Sequence, residues 1–193
     1  MHQNEVVITP VAVEDLRADH SGILIEQIAK LAFEAFREPP WSDDHAHSRL
    51  HFGLGVDLMR SNALAFLARE QGSGRVVGYS VGYEVFEACN DPRDLTLEAI
   101  SGTTVLNDLF SAGKRVFYWD TLCVEPKHRR RKIASRLATA SMGKLREQGF
   151  SYHVARTDQA ALSMRALLAR LGFHELPVQD ARFASRTYWM ARL

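Results

Sequence analysis

Two kinds of hydrophobic pattern alternate along the chain. Short runs rich in β-branched and aromatic residues predict strands, and longer stretches with apolar residues at helical spacing predict helices. The predicted strands are Val6–Val11, Ala63–Arg69, Val76–Phe86, Val116–Val124, Phe150–Ala155 and Arg182–Ala191. The predicted helices are Ile23–Phe36, a weaker one between Trp41 and about Arg60, Ile133–Gln148 and Met164–Leu171.

The order of these elements constrains how the strands pair. Gln71–Gly74 is a glycine-rich hairpin signal between two predicted strands. From Val116 onward the order is strand, helix, strand, helix, which implies one parallel pair with a right-handed crossover. Residues 87–115 break the pattern at Asn90–Pro92 and predict an insertion between strands. Two short helices are predicted within it, Leu95–Ile100 and Val105–Phe110.

Composition narrows the class of protein. The chain has 193 residues, of which 46% are hydrophobic, so it can bury one sizeable core and is expected to form a single domain over residues 1–193. Its net charge of +1 provides no general attraction to nucleic acid or to an acidic membrane. The N-terminal residues lack the pattern of a signal peptide and no stretch is apolar enough to span a membrane, so a cytoplasmic location is predicted. Cys89 and Cys123 are far apart, which suggests two reduced thiols rather than a disulfide framework or a zinc site.

A basic loop lies between the strand ending at Val124 and the helix starting near Ile133. Six lysines and arginines fall between Lys127 and Arg136, with no acidic residue among them. A helix N-terminus offers backbone N–H groups and the positive end of the helix dipole, so this loop is suited to bind a diphosphate. A solvated basic face, and a basic segment for nuclear targeting or nucleic-acid contact, are the alternatives. The position of the loop between strand and helix favours the anion site.

The segment LCVEPKHRRRKIASRL, Leu122–Leu137, resembles the acyl-CoA-binding motif of the GNAT superfamily of N-acyltransferases. In that motif a strand ending in V-x-P is followed by R-x-x-G-x-A/G, which opens a helix. The matching residues are Val124, Pro126, Arg129, Ile133 and Ala134. The order of elements is also similar to that of the family over nearly the whole chain, as far as Gly172-Phe173 after the last helix. The expected fold is therefore a GNAT-like α/β domain whose central mixed sheet is mostly antiparallel and flanked by helices.

The resemblance implies a site for acetyl-CoA, with backbone amides of the loop on the diphosphate and the preceding strand pairing with the pantetheine arm. Its residues would be Leu122, Cys123, Val124, Arg129, Arg130, Arg131, Lys132, Ile133 and Ala134. Lys132 stands where the family usually has glycine. A lysine can adopt helical backbone angles there, with its side chain turned aside or touching a phosphate.

Asp120 and Glu84 are the candidate catalytic carboxylates. Asp120 interrupts the apolar strand FYWDTLCV and shares a face with Tyr118 and Leu122. It is interpreted as a general base, direct or through water, or as an anchor for a substrate ammonium, and the alternative is a structural carboxylate bonded to a neighbouring group. Glu84 lies on the strand Val76–Phe86, and its alternative is an exposed edge-strand residue.

A proton must also reach the CoA thiolate. Many members of the resembled family use a tyrosine in the last helix, at a position that counting back from Phe173 assigns to Leu168. Leucine cannot donate a proton, so Ser163, Tyr152, Tyr118 or water is expected to take that role. A thiol is a tolerable leaving group near neutral pH, so the absence of a dedicated acid slows rather than forbids the reaction.

Trp41 and Tyr118 are the candidate acceptor-binding residues. Trp41 follows Pro39-Pro40 in a loop that borders the acceptor site in the resembled family, and a tryptophan at the edge of the core is the alternative. Metal binding is not expected, because the nearby histidines lack a third ligand at suitable spacing. These histidines are His45, His47 and His51.

The resemblance implies an N-acetyltransferase that passes an acetyl or short acyl group from acetyl-CoA to a primary amine. A small cationic amine is the preferred acceptor, and a peptide N-terminus or a lysine is the alternative. A non-catalytic acyl-CoA-binding or sensor domain is the other class of function considered. No nucleic-acid or membrane partner is expected, and the oligomeric state is open, with a homodimer among the states considered.

Overall fold

The computed structural model describes residues 5–11, 22–41, 53, 54, 58, 60, 62–85, 104–180 and 183–193. The strands in this part of the chain are β1 (Val6–Val11), β2 (Leu64–Glu70), β3 (Val76–Val85), β4 (Val116–Val124), β5 (Tyr152–Asp158), β6 (His174–Glu175) and β7 (Arg186–Arg192). The helices are α1 (Ile23–Phe36), α2 (Thr104–Ser111), α3 (Ile133–Glu147) and α4 (Leu162–Arg170), with a short 3-10 turn at Pro126–His128.

The strands form one seven-stranded mixed sheet in the order β1-β2-β3-β4-β5-β7-β6. Antiparallel pairs join β1 to β2, β2 to β3, β5 to β7 and β6 to β7. The parallel pair is β4 with β5, in a register that runs from Val116 opposite Tyr152 to Trp119 opposite Ala155. The predicted α/β fold, with a mostly antiparallel mixed sheet, is therefore confirmed.

Several element boundaries match the sequence pattern closely. β1, α1 and β4 have the predicted limits, and α2 covers the helix predicted at Val105–Phe110. β7 begins at Arg186 rather than Arg182, and the two-residue strand β6 was not predicted. The helix predicted at Leu95–Ile100, and most of the one predicted before Arg60, fall outside the described residues.

The first compact unit comprises Met1–Tyr83 and Asp120–Gly143. Here β2 is buried on both faces, because successive side chains of a strand point to opposite sides of the sheet. Leu67 packs with Leu31 of α1, and Phe66 packs with Leu137 of α3. Every residue of β3 is buried as well. The predicted apolar stripe of α3 is confirmed, since its members are all buried: Ile133, Leu137, Ser141 and Leu145.

The second compact unit comprises Glu84–Trp119 and Lys144–Leu193. At its centre His153 of β5 is fully buried among aromatic rings. Its imidazole lies 5.5 Å from the ring of Phe117, 5.0 Å from that of Trp119 and 5.1 Å from that of Phe173, between centroids. Neither ring nitrogen of His153 has a hydrogen-bond partner among the described residues. Burial lowers the pKa of His153 to about 3, so this histidine is neutral in the folded protein.

The neutral state of His153 predicts acid sensitivity. An unfolded chain takes up a proton at this residue as the pH falls below about 6.5, whereas the folded protein does so only near pH 3. Between these values the free energy of unfolding should fall by up to about 1.4 kcal/mol per pH unit because of His153. The variant His153→Leu should lose this contribution and show a shallower slope in urea unfolding from pH 7 to pH 4. His174→Leu removes an exposed histidine and serves as control. Equal slopes in wild type and His153→Leu would contradict the assignment.

Candidate functional site

The loop between β4 and α3, residues 125–132, is anchored to the sheet through its backbone. The amide of Glu125 donates to the carbonyl of Val77 on β3 at 2.9 Å, and the amide of His128 donates to the carbonyl of Glu125 at 2.8 Å. The bond from the amide of Arg136 to the carbonyl of Lys132, at 3.0 Å, closes a turn at the start of α3. The first N–H groups of a helix have no carbonyl partner within it, so the amides that follow Lys132 are donors suited to an anion.

The backbone of this loop is left-handed at two positions. Arg130 has a φ of 63° and Lys132 a φ of 60°, and both side chains are exposed. The expectation that Lys132 takes ordinary helical angles is therefore wrong. Left-handed angles cost an L-residue about 1–2 kcal/mol because Cβ crowds the following carbonyl, whereas glycine adopts them freely. This backbone conformation explains why the family motif usually has glycine at the position that Lys132 occupies here.

Arg129 is held by protein groups. Its guanidinium forms an ion pair with Glu38, which follows α1, and its Nε donates to the carbonyl of Val124 at 3.3 Å. The side chain therefore ties the loop to the end of α1. Trp41, a few residues beyond Glu38, is partly exposed and packs edge to face on Phe36, with ring centroids 5.7 Å apart. This position is compatible with both interpretations of Trp41, a residue that borders the acceptor site and a tryptophan at the edge of the core.

The end of β4 contacts β3 closely. A Cβ added to Gly78 would lie 3.0 Å from the carbonyl oxygen of Cys123 and 3.3 Å from Cγ2 of Val124. Glycine at position 78 therefore lets β3 lie against this part of β4. Leu122 and Val124 are partly exposed, whereas Cys123 is buried and its thiol donates to the carbonyl of Leu31 at 3.6 Å. Burial raises the pKa of Cys123 to about 12, so it is a structural thiol and not a nucleophile.

Asp120 is exposed and is the first residue of β4 after the parallel register with β5. Its Oδ2 accepts a hydrogen bond from Oγ1 of Thr121 at 2.7 Å. An exposed carboxylate can exchange protons with water and with a bound amine, as a general base requires. Tyr118, two residues earlier, is buried.

Glu84 is in a different environment from Asp120. Its carboxylate is buried and accepts two hydrogen bonds from Arg115, from Nε at 2.7 Å and from a terminal nitrogen at 2.8 Å. These bonds to Glu84 raise the pKa of Arg115, whose guanidinium also lies 4.0 Å from the ring centroid of Phe150. Glu84 is thus not an exposed edge-strand residue. Both of its oxygens already accept bonds in a structural ion pair, which leaves it less suited than Asp120 to remove a proton.

The residues considered for proton donation have unequal access to solvent. Ser163 on α4 is exposed, Tyr152 on β5 is partly exposed, and Leu168 is fully buried. His45, His47 and His51 lie outside the described residues. Within the described ranges, no group of three histidine, cysteine, aspartate or glutamate side chains is placed to hold a metal ion.

Sequence reasoning missed a partly buried charged cluster formed by Glu70, Arg75, Glu125 and His128. Arg75 donates to Glu70 at 3.3 Å and to Glu125 at 2.9 Å. Its hydrogen bond is the main cause that lowers the pKa of Glu70 to about 2. Burial favours the neutral form of Glu125, but the bond from Arg75 and smaller contributions outweigh it and lower its pKa. Charged residues more than 50 positions apart leave no periodic signal, so the sequence alone could not pair Glu70 with His128.

Comparison with known proteins identifies the class. The sequence pattern of the Acetyltransferase (GNAT) family matches residues 25–173, and the chain belongs to this family. No curated protein sequence matches the chain significantly. Among the described residues, no helix is long and apolar enough to cross a membrane.

Solved structures share the fold at low sequence identity. A mosquito arylalkylamine N-acetyltransferase like 5b has 13% identity and a TM-score of 0.64, with 98% of this chain and 100% of that chain covered. The NatC complex bound to Gag peptide and CoA has 14% identity and a TM-score of 0.64, with 98% of this chain and 99% of that chain covered. The ribosomal-protein-S18-alanine N-acetyltransferase from Escherichia coli has 13% identity and a TM-score of 0.58, with 97% of this chain and 94% of that chain covered.

The left-handed backbone at Lys132 predicts an unusual response to glycine. Lys132→Gly should leave the free energy of unfolding unchanged or raise it by up to about 1 kcal/mol, because relief of the strained angle offsets the entropy that glycine adds to the unfolded chain. Lys30→Gly, at an exposed position within α1, is the matched control and should lose about 1 kcal/mol. Urea unfolding measures both. A loss at position 132 as large as that at position 30 would contradict the left-handed angle.

Proposed function

We propose that this protein is an N-acetyltransferase that moves an acetyl or short acyl group from acetyl-CoA to a primary amine by direct attack in a ternary complex. The main observation is the loop between β4 and α3, whose backbone is left-handed at the position of the family glycine and which leads into a helix N-terminus. Membership of the GNAT family supports the same reaction class.

The coenzyme would bind through the backbone more than through side chains. Amides from Arg130 to Ala134 would donate to the diphosphate, whereas the amide of Arg129 already donates to the carbonyl of Pro126 at 3.2 Å. Arg130 and Lys132 would add positive charge from exposed positions. Arg129 would act indirectly, because its guanidinium is engaged by Glu38 and by the carbonyl of Val124. The partly exposed residues Leu122 and Val124 would pair with the pantetheine arm as an added strand would.

In the proposed reaction the neutral amine attacks the thioester carbonyl carbon, and a C–N bond forms. The tetrahedral intermediate then collapses, the C–S bond breaks with its electron pair on sulfur, and the coenzyme departs as a thiolate. A backbone amide of β4 near Leu122 would stabilise the developing oxyanion. Asp120 would accept the proton that the attacking nitrogen loses, directly or through one water molecule.

The thiolate needs no dedicated acid to leave. Leu168 is buried and cannot protonate it, and Ser163 and Tyr152, which are at least partly exposed, are the side chains proposed for that role. A thiol has a pKa of about 8.5, so the thiolate is a competent leaving group that water can protonate afterwards. The same leucine favours a second candidate function, a non-catalytic acyl-CoA sensor with the same coenzyme site.

The acceptor is proposed to be a small cationic amine with Trp41 at its site, whereas Tyr118 is buried and less suited to contact it. An exposed carboxylate such as Asp120 can attract an ammonium group as well as deprotonate it. Proteins of this fold include an arylalkylamine N-acetyltransferase-like protein and a ribosomal-protein-alanine N-acetyltransferase, so a protein N-terminus or a lysine is the alternative acceptor. A cytoplasmic location remains a prediction.

Coenzyme binding should raise the melting temperature. Acetyl-CoA at about 100 times its Kd adds about 2.7 kcal/mol of stability, which corresponds to a shift of roughly 5–10 °C for a chain of this size. The double variant Arg130→Glu and Lys132→Glu should lose most of this shift, because two exposed positive charges of the loop become negative. Arg146→Glu with Arg170→Glu makes the same change of net charge on exposed helix positions and should keep the shift. An unchanged shift in the loop variant would defeat the proposed coenzyme site.

Removal of the Asp120 carboxylate should slow the chemical step. Asp120→Asn is expected to lower kcat by about 10²–10⁴-fold while KM for acetyl-CoA changes little. Thiol release measured over a panel of amines checks this, with Asp108→Asn, at an exposed position of α2, as control. Wild-type protein that binds acetyl-CoA but releases no thiol with any amine would favour the sensor over the enzyme.

A further inference from the structure

His128 lies between two carboxylates at the base of the loop that is proposed to hold the coenzyme. Its Nδ1 is 2.7 Å from Oε2 of Glu125, and its Nε2 is 3.1 Å from Oε1 of Glu70. The imidazole is buried, and the two carboxylates are nearly so, with side-chain exposures of 13% for Glu70 and 14% for Glu125. Water therefore has little access to these contacts.

The ring of His128 connects the two carboxylates. One ring nitrogen faces Glu125 of the loop and the other faces Glu70 of β2, so a single side chain bridges two elements. Replacement of the ring would remove both contacts at once.

Two cationic groups offset the two carboxylates of the cluster. The guanidinium of Arg75 bonds to both Glu70 and Glu125. The other charged group in contact is Lys127, whose Nζ lies 3.3 Å from Oε1 of Glu125 on the exposed side.

The cluster joins the coenzyme loop to a separate hairpin. Glu70 ends β2 and Arg75 precedes β3, and their turn is closed by a bond from the amide of Glu70 to the carbonyl of Arg75 at 3.0 Å. Ser73 in that turn donates to Glu70 at 3.0 Å, which fixes the carboxylate that faces His128. Glu125 and His128 belong to the loop, on either side of Pro126 and Lys127. A rigid hairpin thus sets the position of the residues that lead into the left-handed segment.

We propose that the cluster of Glu70, Arg75, Glu125 and His128 positions the coenzyme loop, and that acetyl-CoA affinity depends on the two contacts of His128. This inference rests on the proposed function. Loss of these contacts would release the loop from the hairpin. Acetyl-CoA affinity should then fall, while the chemical step at the thioester is unaffected.

The test measures acetyl-CoA binding by calorimetry in the absence of an amine. His128→Gln should bind acetyl-CoA about tenfold more weakly than the wild type, since glutamine cannot contact both carboxylates as the ring does. Glu147→Gln removes a carboxylate from an exposed ion pair on α3 and should behave as the wild type.

Two further readouts separate positioning from a purely structural role. In the amine assay His128→Gln should raise KM for acetyl-CoA by about tenfold and change kcat by less than about twofold. Arg75→Lys retains the charge but loses the fork that bonds both carboxylates, and it should show a smaller rise in Kd. If His128→Gln fails to fold, the Kd of Arg75→Lys and its separate effects on KM and kcat still decide the question.

Equal affinity for acetyl-CoA in His128→Gln and wild type would overturn the inference. This result would leave the proposed function intact, because the wild type would still bind acetyl-CoA. Wild-type protein that binds no acetyl-CoA would instead overturn the proposed function and the inference with it.

Discussion

Burial of β2 and β3 on both faces determines where the functional loop lies in the first unit. Side chains of α1 cover one face of these strands and side chains of α3 cover the other, so neither strand can shift its register without exposing apolar surface. β4 is fixed to this layer by the bond from Glu125 to Val77 and by close contact with Gly78. The end of β4 and the start of α3 are therefore set by the core, and the loop between them closes a defined gap.

The loop that closes this gap has a strained backbone, and side-chain contacts keep the loop in that conformation. Left-handed angles at Arg130 and Lys132 would relax in an isolated segment, because each costs an L-residue free energy. Contacts from outside the loop oppose this relaxation, with Glu38 on Arg129 at one point and Glu70 with Arg75 on His128 and Glu125 at another. Strain that is maintained by the surrounding structure keeps backbone amides in one orientation before a ligand arrives, which reduces the entropy lost on binding.

The sequence predicted the parts of the fold that have a regular period. α1 and β4 were located to the residue because most of their apolar positions follow helical and strand patterns. β6 has only two residues and shows no period, so it was missed. The family motif located the candidate coenzyme loop, but Lys132 suggested ordinary helical angles because lysine usually adopts them. The partners of Glu84 and of His128 lie 31 and 58 residues away, and only the folded chain brings them together.

The buried thiol of Cys123 has a chemical consequence for an enzyme that works with a thiol coenzyme. Disulfide exchange requires a thiolate, and a cysteine whose pKa is raised to about 12 is almost wholly protonated at neutral pH. Cys123 should therefore neither accept an acyl group from a thioester nor form a mixed disulfide with oxidised coenzyme A, although it lies on the strand proposed to pair with the pantetheine arm. Oxidising conditions that modify exposed cysteines would therefore not reduce activity through Cys123.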